Sequence, residues 1–118
     1  MFRIVNQIRR TYSTKTFTKT NEWYLKQDNC IKIGLTKKAI DELNEIVYIE
    51  FPNSETDIID NKSELVIIES VKAIGYINSP DYKTEIIEHN YNLESNLDML
   101  NENPEDETNS WLIKIKSL

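Results

Sequence analysis

Residues 65–80 decide the fold, and they read LVIIESVKAIGYINSP. The first four residues are apolar and mostly β-branched, so they predict a buried strand. Residues 73–77 form a second strand-like run, which ends at the turn signal Asn-Ser-Pro. Two strands back to back place Lys72 near the tip of the hairpin between them. A lysine there is either a solvated turn residue or a long amine on a rigid support that a modifying enzyme can reach.

The rest of the chain predicts more short strands and two short helices. Thr36 is the predicted N-cap of a helix over residues 37–43, and Asn90 is the predicted cap of a second helix around three leucines. Strand-like runs bounded by turn signals lie at residues 23–27, 30–35, 46–51, 58–59, 84–88 and 111–116. This pattern predicts a mainly β domain, a small β-sandwich or flattened barrel with two short helices.

Length and composition narrow the class of protein. A chain of 118 residues predicts one domain. No apolar run approaches the length of a bilayer span, so we expect no membrane partner. The single cysteine, Cys30, excludes an internal disulfide and fits a reducing compartment. Because the chain has only two glycines, Asn and Asp must take many of the turn positions.

The first 21 residues differ from the rest in charge. They contain five basic residues, no acidic residue and six Ser or Thr residues, a composition typical of a mitochondrial transit peptide. The segment Arg10-Thr11-Tyr12-Ser13 resembles a common matrix-protease site. We therefore predict a transit peptide over residues 1–12, ending at about residue 18 at the latest, a domain over residues 19–118, and location in the mitochondrial matrix.

A basic arm for nucleic acid is the competing interpretation of the same segment. Without residues 1–12, which contain three arginines and no acid, the chain keeps 11 basic and 20 acidic residues. A domain with this excess of negative charge repels phosphate backbones. Nucleic acid is therefore not an expected partner.

The sequence contains no recognisable catalytic machinery and no metal-binding spacing. It lacks a glycine-rich phosphate loop, paired cysteines and a nucleophile elbow. His89 is the only histidine, so any triad or zinc cluster would have to be built around it. Its predicted place is a surface position at the end of a strand. We therefore expect a protein that is not an enzyme on its own, with no catalytic residue and no metal ligand.

In order and spacing, these segments resemble the H proteins of the glycine cleavage system from about Asn21 to Lys116. Residues 69–73, Glu-Ser-Val-Lys-Ala, are identical to the attachment motif of that family. Asn21-Glu22-Trp23 resembles the family's His-Glu-Trp opening, and residues 33–39 and 111–115 follow in the expected order. Biotin carriers flank their lysine with methionines, and lipoyl domains of 2-oxo acid dehydrogenases place Asp before it, whereas Val71 stands here.

The resemblance implies the lipoyl/biotinyl carrier type of fold, a barrel-sandwich hybrid, with lipoate as a covalent cofactor. The lipoyl group would be in amide linkage to Lys72. The attaching enzyme would recognise the hairpin through the other residues of the motif, Glu69, Ser70, Val71 and Ala73.

The resemblance also implies a cleft on the carrier that shelters the loaded arm. Glu22 matches the family glutamate that pairs with the cationic amine of the arm, and Thr20 matches a nearby hydroxyl. The alternative for Glu22 is an exposed carboxylate at the start of a strand, without a functional role.

The implied function is a shuttle that carries the aminomethyl group of glycine. Its partners would be glycine decarboxylase (P protein), aminomethyltransferase (T protein), dihydrolipoamide dehydrogenase (L protein) and a lipoate-attaching enzyme. The alternative is an H-like lipoate relay or scaffold without glycine cleavage activity, because several turns depart from the family pattern and the chain stops at Leu118, before the usual C-terminal helix. A binding module with an unmodified lysine is the third interpretation.

Overall fold

The structure is a computed structural model that describes residues 14–60 and 62–118. The predicted transit peptide over residues 1–12 and the predicted cleavage site before Ser13 lie outside these ranges. Within them the chain forms nine strands, two short α-helices and one 3-10 turn. The strands are β1 (Thr14–Phe17), β2 (Glu22–Gln27), β3 (Cys30–Leu35), β4 (Ile46–Glu50), β5 (Ile58–Ile59), β6 (Glu64–Ser70), β7 (Ile74–Asn78), β8 (Thr84–His89) and β9 (Ile113–Ser117). The helices are α1 (Lys37–Leu43) and α2 (Leu97–Glu102), and the 3-10 turn spans Tyr91–Ser95.

The strands form two antiparallel sheets that share one apolar core. The larger sheet has the order β1-β2-β3-β9-β8-β5, and the smaller sheet has the order β4-β6-β7. Side chains from both sheets meet in one buried cluster, which includes Ile33 and Ile113 of the larger sheet and Ile49 and Ile68 of the smaller. No strand pairing closes the two sheets into a barrel among the described residues. The predicted mainly β sandwich with two short helices is confirmed. Neither α-helix in the described ranges has the length and apolarity of a membrane span.

Asn and Asp occupy turn positions, as the scarcity of glycine predicts. Asn21, Asp28, Asn44 and Thr56 have φ values of 69°, 54°, 65° and 74°, in the region that favours glycine. Neither glycine of the chain has a positive φ. Asn and Asp enter this region more readily than other non-glycine residues.

The two predicted helix caps have different outcomes. Thr36 caps α1 as predicted, because its side chain accepts the Ala39 N–H at 3.1 Å. Asn90 stands at the N-cap position of the 3-10 turn as predicted, but its side chain makes no capping bond. Its Nδ2 instead donates to the carbonyl of Trp111 at 2.7 Å. This bond gives a main-chain carbonyl just before β9 its hydrogen-bond partner. The predicted second helix is divided into the 3-10 turn and α2, which meet at Asn96.

β1 is a strand that the sequence pattern does not predict. It has one large apolar residue, Phe17, which is 59% exposed, so no buried alternation marks it. Lys15 holds it in place: its Nζ donates to the Glu105 carbonyl at 2.7 Å and lies 5.0 Å from the ring centroid of Trp23. The folded domain therefore includes residues before the predicted boundary at 19. Cleavage before Ser13, which would leave β1 whole, stays a prediction.

His89 is buried, and the prediction of a surface position is wrong. Its side chain is 3% exposed, and its ring stacks on Phe51 with the centroids 4.5 Å apart. A register shift between Ile86 and Glu88 resets the alternation of β8, so Glu88 points outward and His89 inward. Nδ1 lies 2.9 Å from the Tyr91 hydroxyl, whereas Nε2 has no hydrogen-bond partner among the described residues.

Gly34 is required by the packing of Trp23. The two residues are directly opposite each other in the β2–β3 pair, and Trp23 is fully buried. The indole Nε1–H donates to the carbonyl of Pro104 at 2.9 Å, which fixes the position of the ring. A Cβ at residue 34 would overlap the carbon atoms of the indole.

Gly34→Ala is expected to lower the free energy of unfolding by about 1–3 kcal/mol, because the buried ring must move to admit the methyl group. Urea denaturation measures this change. Gly75→Ala is the control, since a Cβ there meets the Leu43 methyl groups at 3.5 and 3.6 Å, an ordinary contact. Equal losses for the two variants would contradict the role given to Gly34.

The burial of His89 predicts a loss of stability in mild acid. Burial lowers the pKa of His89, although the carboxylates of Glu55, Asp57 and Glu94 act in the opposite direction. In the unfolded chain the ring has its ordinary pKa of about 6.5. Below that pH, down to the lower pKa of the folded state, the unfolded chain binds more protons, so stability decreases as the pH falls through this window. Denaturant titrations at pH 7.5 and 5.5 should show that the free energy of unfolding falls more for the wild type than for His89→Gln. An identical decrease in both proteins would contradict the role given to His89.

Candidate functional site

Lys72 lies at the tip of the β6–β7 hairpin, as the sequence predicts. Val71, Lys72 and Ala73 connect the two strands, and all three are exposed. The side chain of Val71 is 65% exposed. Among the described residues, no carboxylate forms an ion pair with Lys72. Its amine is therefore accessible to an acylating enzyme and is not held by a competing charge.

The hydroxyl of Ser70 holds the hairpin turn in one conformation. Its Oγ accepts the N–H groups of Lys72 at 3.1 Å and Ala73 at 2.9 Å, and it donates to the Ala73 carbonyl at 3.0 Å. The N–H of Val71 donates to the carbonyl of Glu45, between α1 and β4, at 3.0 Å. These bonds join the tip to the body of the domain, so the lysine projects from a braced turn. The structure thus gives Ser70 a role within the turn.

The outer face of the smaller sheet brings Glu69 between two apolar side chains. In the strand register, Tyr48 of β4 and Ile74 of β7 are the neighbours of Glu69. Both neighbours are about half exposed, and Glu69 is partly exposed. An acidic group flanked by two half-exposed side chains therefore lies three positions before Lys72, near the end of β6.

Glu22 is buried, and the interpretation as an exposed carboxylate is wrong. Its side chain is 7% exposed at the start of β2. Oε1 accepts hydrogen bonds from the hydroxyls of Thr18 at 2.6 Å and Thr20 at 2.7 Å. The structure therefore brings Thr20 and Glu22 together, as the sequence resemblance implies, and adds Thr18.

Thr18 is the residue of this site that the sequence does not single out. Its Oγ1 accepts the Glu22 N–H at 3.0 Å, and its own N–H donates to the Glu22 carbonyl at 2.9 Å. Six Ser or Thr residues occur in the first 21 positions, so no one of them stands out. The turn at Asn21, with its positive φ, brings residue 18 back to residue 22. Only knowledge of that turn could have identified Thr18.

Glu22 separates two surface grooves. The hairpin-side groove, of about 180 Å³, is bordered by Thr20, Glu22, Leu35, Leu43, Gly75 and Tyr76. The turn-side groove, of about 270 Å³, is bordered by Thr18, Thr20, Glu22, Tyr24, Lys62 and Ser79. Gly75 and Tyr76 belong to β7, so the hairpin-side groove reaches the strand that follows Lys72.

The hairpin-side groove favours a cationic ligand, because two of the described residues that border it, Glu22 and Glu42, are acidic and none is basic. Burial raises the pKa of Tyr24 to about 12, with a smaller contribution from the negative charge of Glu22. The phenol is therefore neutral near pH 7 and adds no charge of its own. Glu42 provides a second carboxylate on the wall of the hairpin-side groove, where it accepts a hydrogen bond from Asn21 Nδ2 at 3.1 Å. Across residues 14–60 and 62–118, no group of three or more His, Cys, Asp or Glu side chains could hold a metal ion.

A family model and several curated relatives of this chain carry the same description. A family model for the glycine cleavage H-protein matches residues 15–118. A probable glycine cleavage system H protein of Picrophilus torridus is 40% identical over 101 residues, which cover 85% of this chain and 77% of that protein. The glycine cleavage system H protein of Dinoroseobacter shibae is 41% identical over 104 residues, covering 87% and 81%. The mitochondrial one of Saccharomyces cerevisiae is 39% identical over 101 residues, covering 85% and 57%.

A solved structure has the same fold. The glycine cleavage system H protein of Mycobacterium marinum superimposes with a TM-score of 0.73 over 87% of this chain and 83% of that one. At 17% sequence identity this similarity shows the fold alone. The match to the family model and the identities to curated relatives show more. The chain belongs to the glycine cleavage H-protein family.

Proposed function

We propose that this protein is a lipoyl carrier of the glycine cleavage system, with lipoate in amide linkage to Lys72. The observation that carries the proposal is the position of this lysine. It occupies the fourth place of the motif Glu-Ser-Val-Lys-Ala, at the exposed tip of a braced hairpin, in a chain of the H-protein family. Its amine makes no ion pair within the described residues, which fits a group that is to be acylated.

Different residues of the hairpin have different roles in the proposed carrier. When attached, lipoate supplies a disulfide, which is reduced as it takes up the aminomethyl group of glycine. Lys72 loses its charge in the amide and becomes part of a long arm. The Ser70 hydroxyl keeps the base of that arm fixed, and Glu69 marks the hairpin for the attaching enzyme together with Val71 and Ala73.

Glu22 protects the cargo in this proposal. Its carboxylate pairs with the cationic amine of the aminomethyl group, and Thr20 supplies a neighbouring hydroxyl on the same groove. A protonated amine has no free electron pair with which to assist loss of the one-carbon unit. The groove also excludes water from the group. Both effects lengthen the time during which the carrier can travel between enzymes.

The proposed partners follow from this chemistry. Glycine decarboxylase loads the carrier, aminomethyltransferase unloads it, and dihydrolipoamide dehydrogenase reoxidises it, while a lipoate-attaching enzyme modifies it once. The carrier itself has no catalytic residue in this scheme. The proposed location is the mitochondrial matrix, supported by the composition of residues 1–12 and by the mitochondrial yeast relative. The relatives of Picrophilus torridus and Dinoroseobacter shibae are not named as mitochondrial. The proposal of mitochondrial import therefore rests on the composition of residues 1–12 and on the yeast relative.

Co-expression with a lipoate-attaching enzyme is expected to add one lipoyl group, on Lys72. Intact mass and peptide mapping measure the modification, and Lys72→Arg is the matched control because it keeps the charge but offers no acylatable amine. No addition under conditions that modify a known H protein would contradict the proposal and favour a binding module with an unmodified lysine.

The modified protein is then expected to support glycine-dependent CO₂ exchange with a glycine decarboxylase. A lipoylated Lys72 without any exchange would contradict the shuttle and favour the lipoate relay. This outcome would leave the attachment site established, so the two halves of the proposal are tested separately.

Glu22→Gln is expected to shorten the half-life of the aminomethyl-loaded carrier about tenfold or more. The substitution keeps the size of the side chain but removes the negative charge, and a hydrogen bond to a charged group contributes about 1.5–3 kcal/mol. The half-life is measured as release of the one-carbon unit without other enzymes. Glu50→Gln is the matched control, since Glu50 is exposed on β4 and borders neither groove. An unchanged half-life in Glu22→Gln would exclude the protective role of the groove.

A further inference from the structure

We propose that Thr18 is a positioning residue for Glu22, and that it affects the cargo only through this carboxylate. The inference rests on the proposed function, in which Glu22 pairs with the cationic amine of the aminomethyl group. It assigns a role in the site to the N-terminal segment, which the sequence pattern treats as the end of a transit peptide or the start of a domain.

The hydroxyl of Thr18 is bonded to both the main chain and the side chain of Glu22. Oγ1 accepts the Glu22 N–H at 3.0 Å and donates to Glu22 Oε1 at 2.6 Å. The main-chain N–H of Thr18 also donates to the Glu22 carbonyl at 2.9 Å. A single hydroxyl that joins the backbone and the carboxylate of one residue restricts the torsion angles between them. The side chain of Glu22 is therefore held in one rotamer before any ligand arrives.

The hydroxyl protons of Thr18 and Thr20 determine which oxygen of Glu22 remains for a ligand. Thr18 and Thr20 have one hydroxyl proton each, and both protons are donated to Oε1 of Glu22. The two hydroxyl oxygens lie 3.3 Å apart, but neither has a second proton for the other. No hydrogen bond from the described part of the chain reaches Oε2. This oxygen is thus available to a donor such as an ammonium group.

Thr18 contacts Glu22 from the turn-side groove and not from the hairpin-side groove. It borders the turn-side groove but not the hairpin-side groove, whereas Thr20 borders both. A cargo group that enters from the hairpin meets Glu22 and Thr20 and does not meet Thr18. This placement is the reason to describe Thr18 as positioning and not as a direct contact.

Strand β1 holds Thr18 in this place. Phe17, the last residue of β1, is paired with Trp23, so the chain enters Thr18 from a fixed direction. An unrestrained glutamate would lose rotamer freedom when it bound the amine, and prior ordering removes that cost. The N-terminal strand therefore contributes to the site although none of its residues touches the cargo.

Thr18→Val tests the inference, because valine has nearly the same shape and lacks the hydroxyl. In the full chain without lipoate, side-chain scalar couplings should show one Glu22 rotamer in the wild type and averaging in Thr18→Val. In the loaded carrier, the half-life of the aminomethyl group should fall about fivefold. Thr18→Ser should restore both values. Thr16→Val, an equal change at an exposed position of β1, should leave both unchanged.

The double variant separates positioning from a general loss of stability. Because Thr18 acts through Glu22, adding Thr18→Val to Glu22→Gln should produce no further shortening of the half-life. A single Glu22 rotamer in Thr18→Val, or the same fivefold loss in both backgrounds, would overturn the inference. If Lys72 takes no lipoyl group, the proposed function fails, and the coupling measurement on the unmodified chain still decides whether Thr18 orders Glu22.

Discussion

The indole of Trp23 is fully buried against Gly34, and several parts of the domain depend on this contact. Its N–H bonds to the carbonyl of Pro104, so the loop before β9 is held against β2. The ammonium group of Lys15 lies over the same ring and bonds to the Glu105 carbonyl, which joins β1 to that loop. One aromatic ring therefore links the N-terminal strand, the first hairpin and the C-terminal loop.

The same ring determines the direction of Glu22. Successive residues of a strand point to opposite faces, so a Trp23 packed on one face directs Glu22 and Tyr24 toward the other. There Glu22 meets the hydroxyls of Thr18 and Thr20 and borders the groove that reaches β7. Burial of a carboxylate is costly unless donors satisfy it, and the two hydroxyls provide that compensation. The site thus depends on a packing contact on the opposite side of its strand.

The hairpin and the groove of this carrier arise from different levels of structure. The turn at Lys72 is shaped by local hydrogen bonds between the Ser70 hydroxyl and residues two and three positions away, and the Val71 N–H bond to the Glu45 carbonyl joins it to the domain. The groove is built from residues far apart in sequence, including Thr20, Leu43 and Gly75. The proposed function uses both, because an attached group would have to be presented to other enzymes and sheltered between them. Gly75 of β7 is three positions after Lys72, so the hairpin tip and the groove are neighbours along the chain.

The sequence by itself determined the β-sandwich class, the hairpin and the exposed position of Lys72, because strand alternation and turn residues act over a few neighbouring positions. It also identified Thr36 as a helix cap, and the family resemblance implied that Glu22 and Thr20 lie together. Only the tertiary structure decided that β1 pairs with β2, that His89 is buried and that Asn90 bonds to Trp111. β1 has no buried apolar face, and a register shift in β8 reverses which residues point inward. The role of Thr18 was also decided only by the tertiary structure. The left-handed turn at Asn21 brings its hydroxyl to Glu22, and no residue pattern marks that approach.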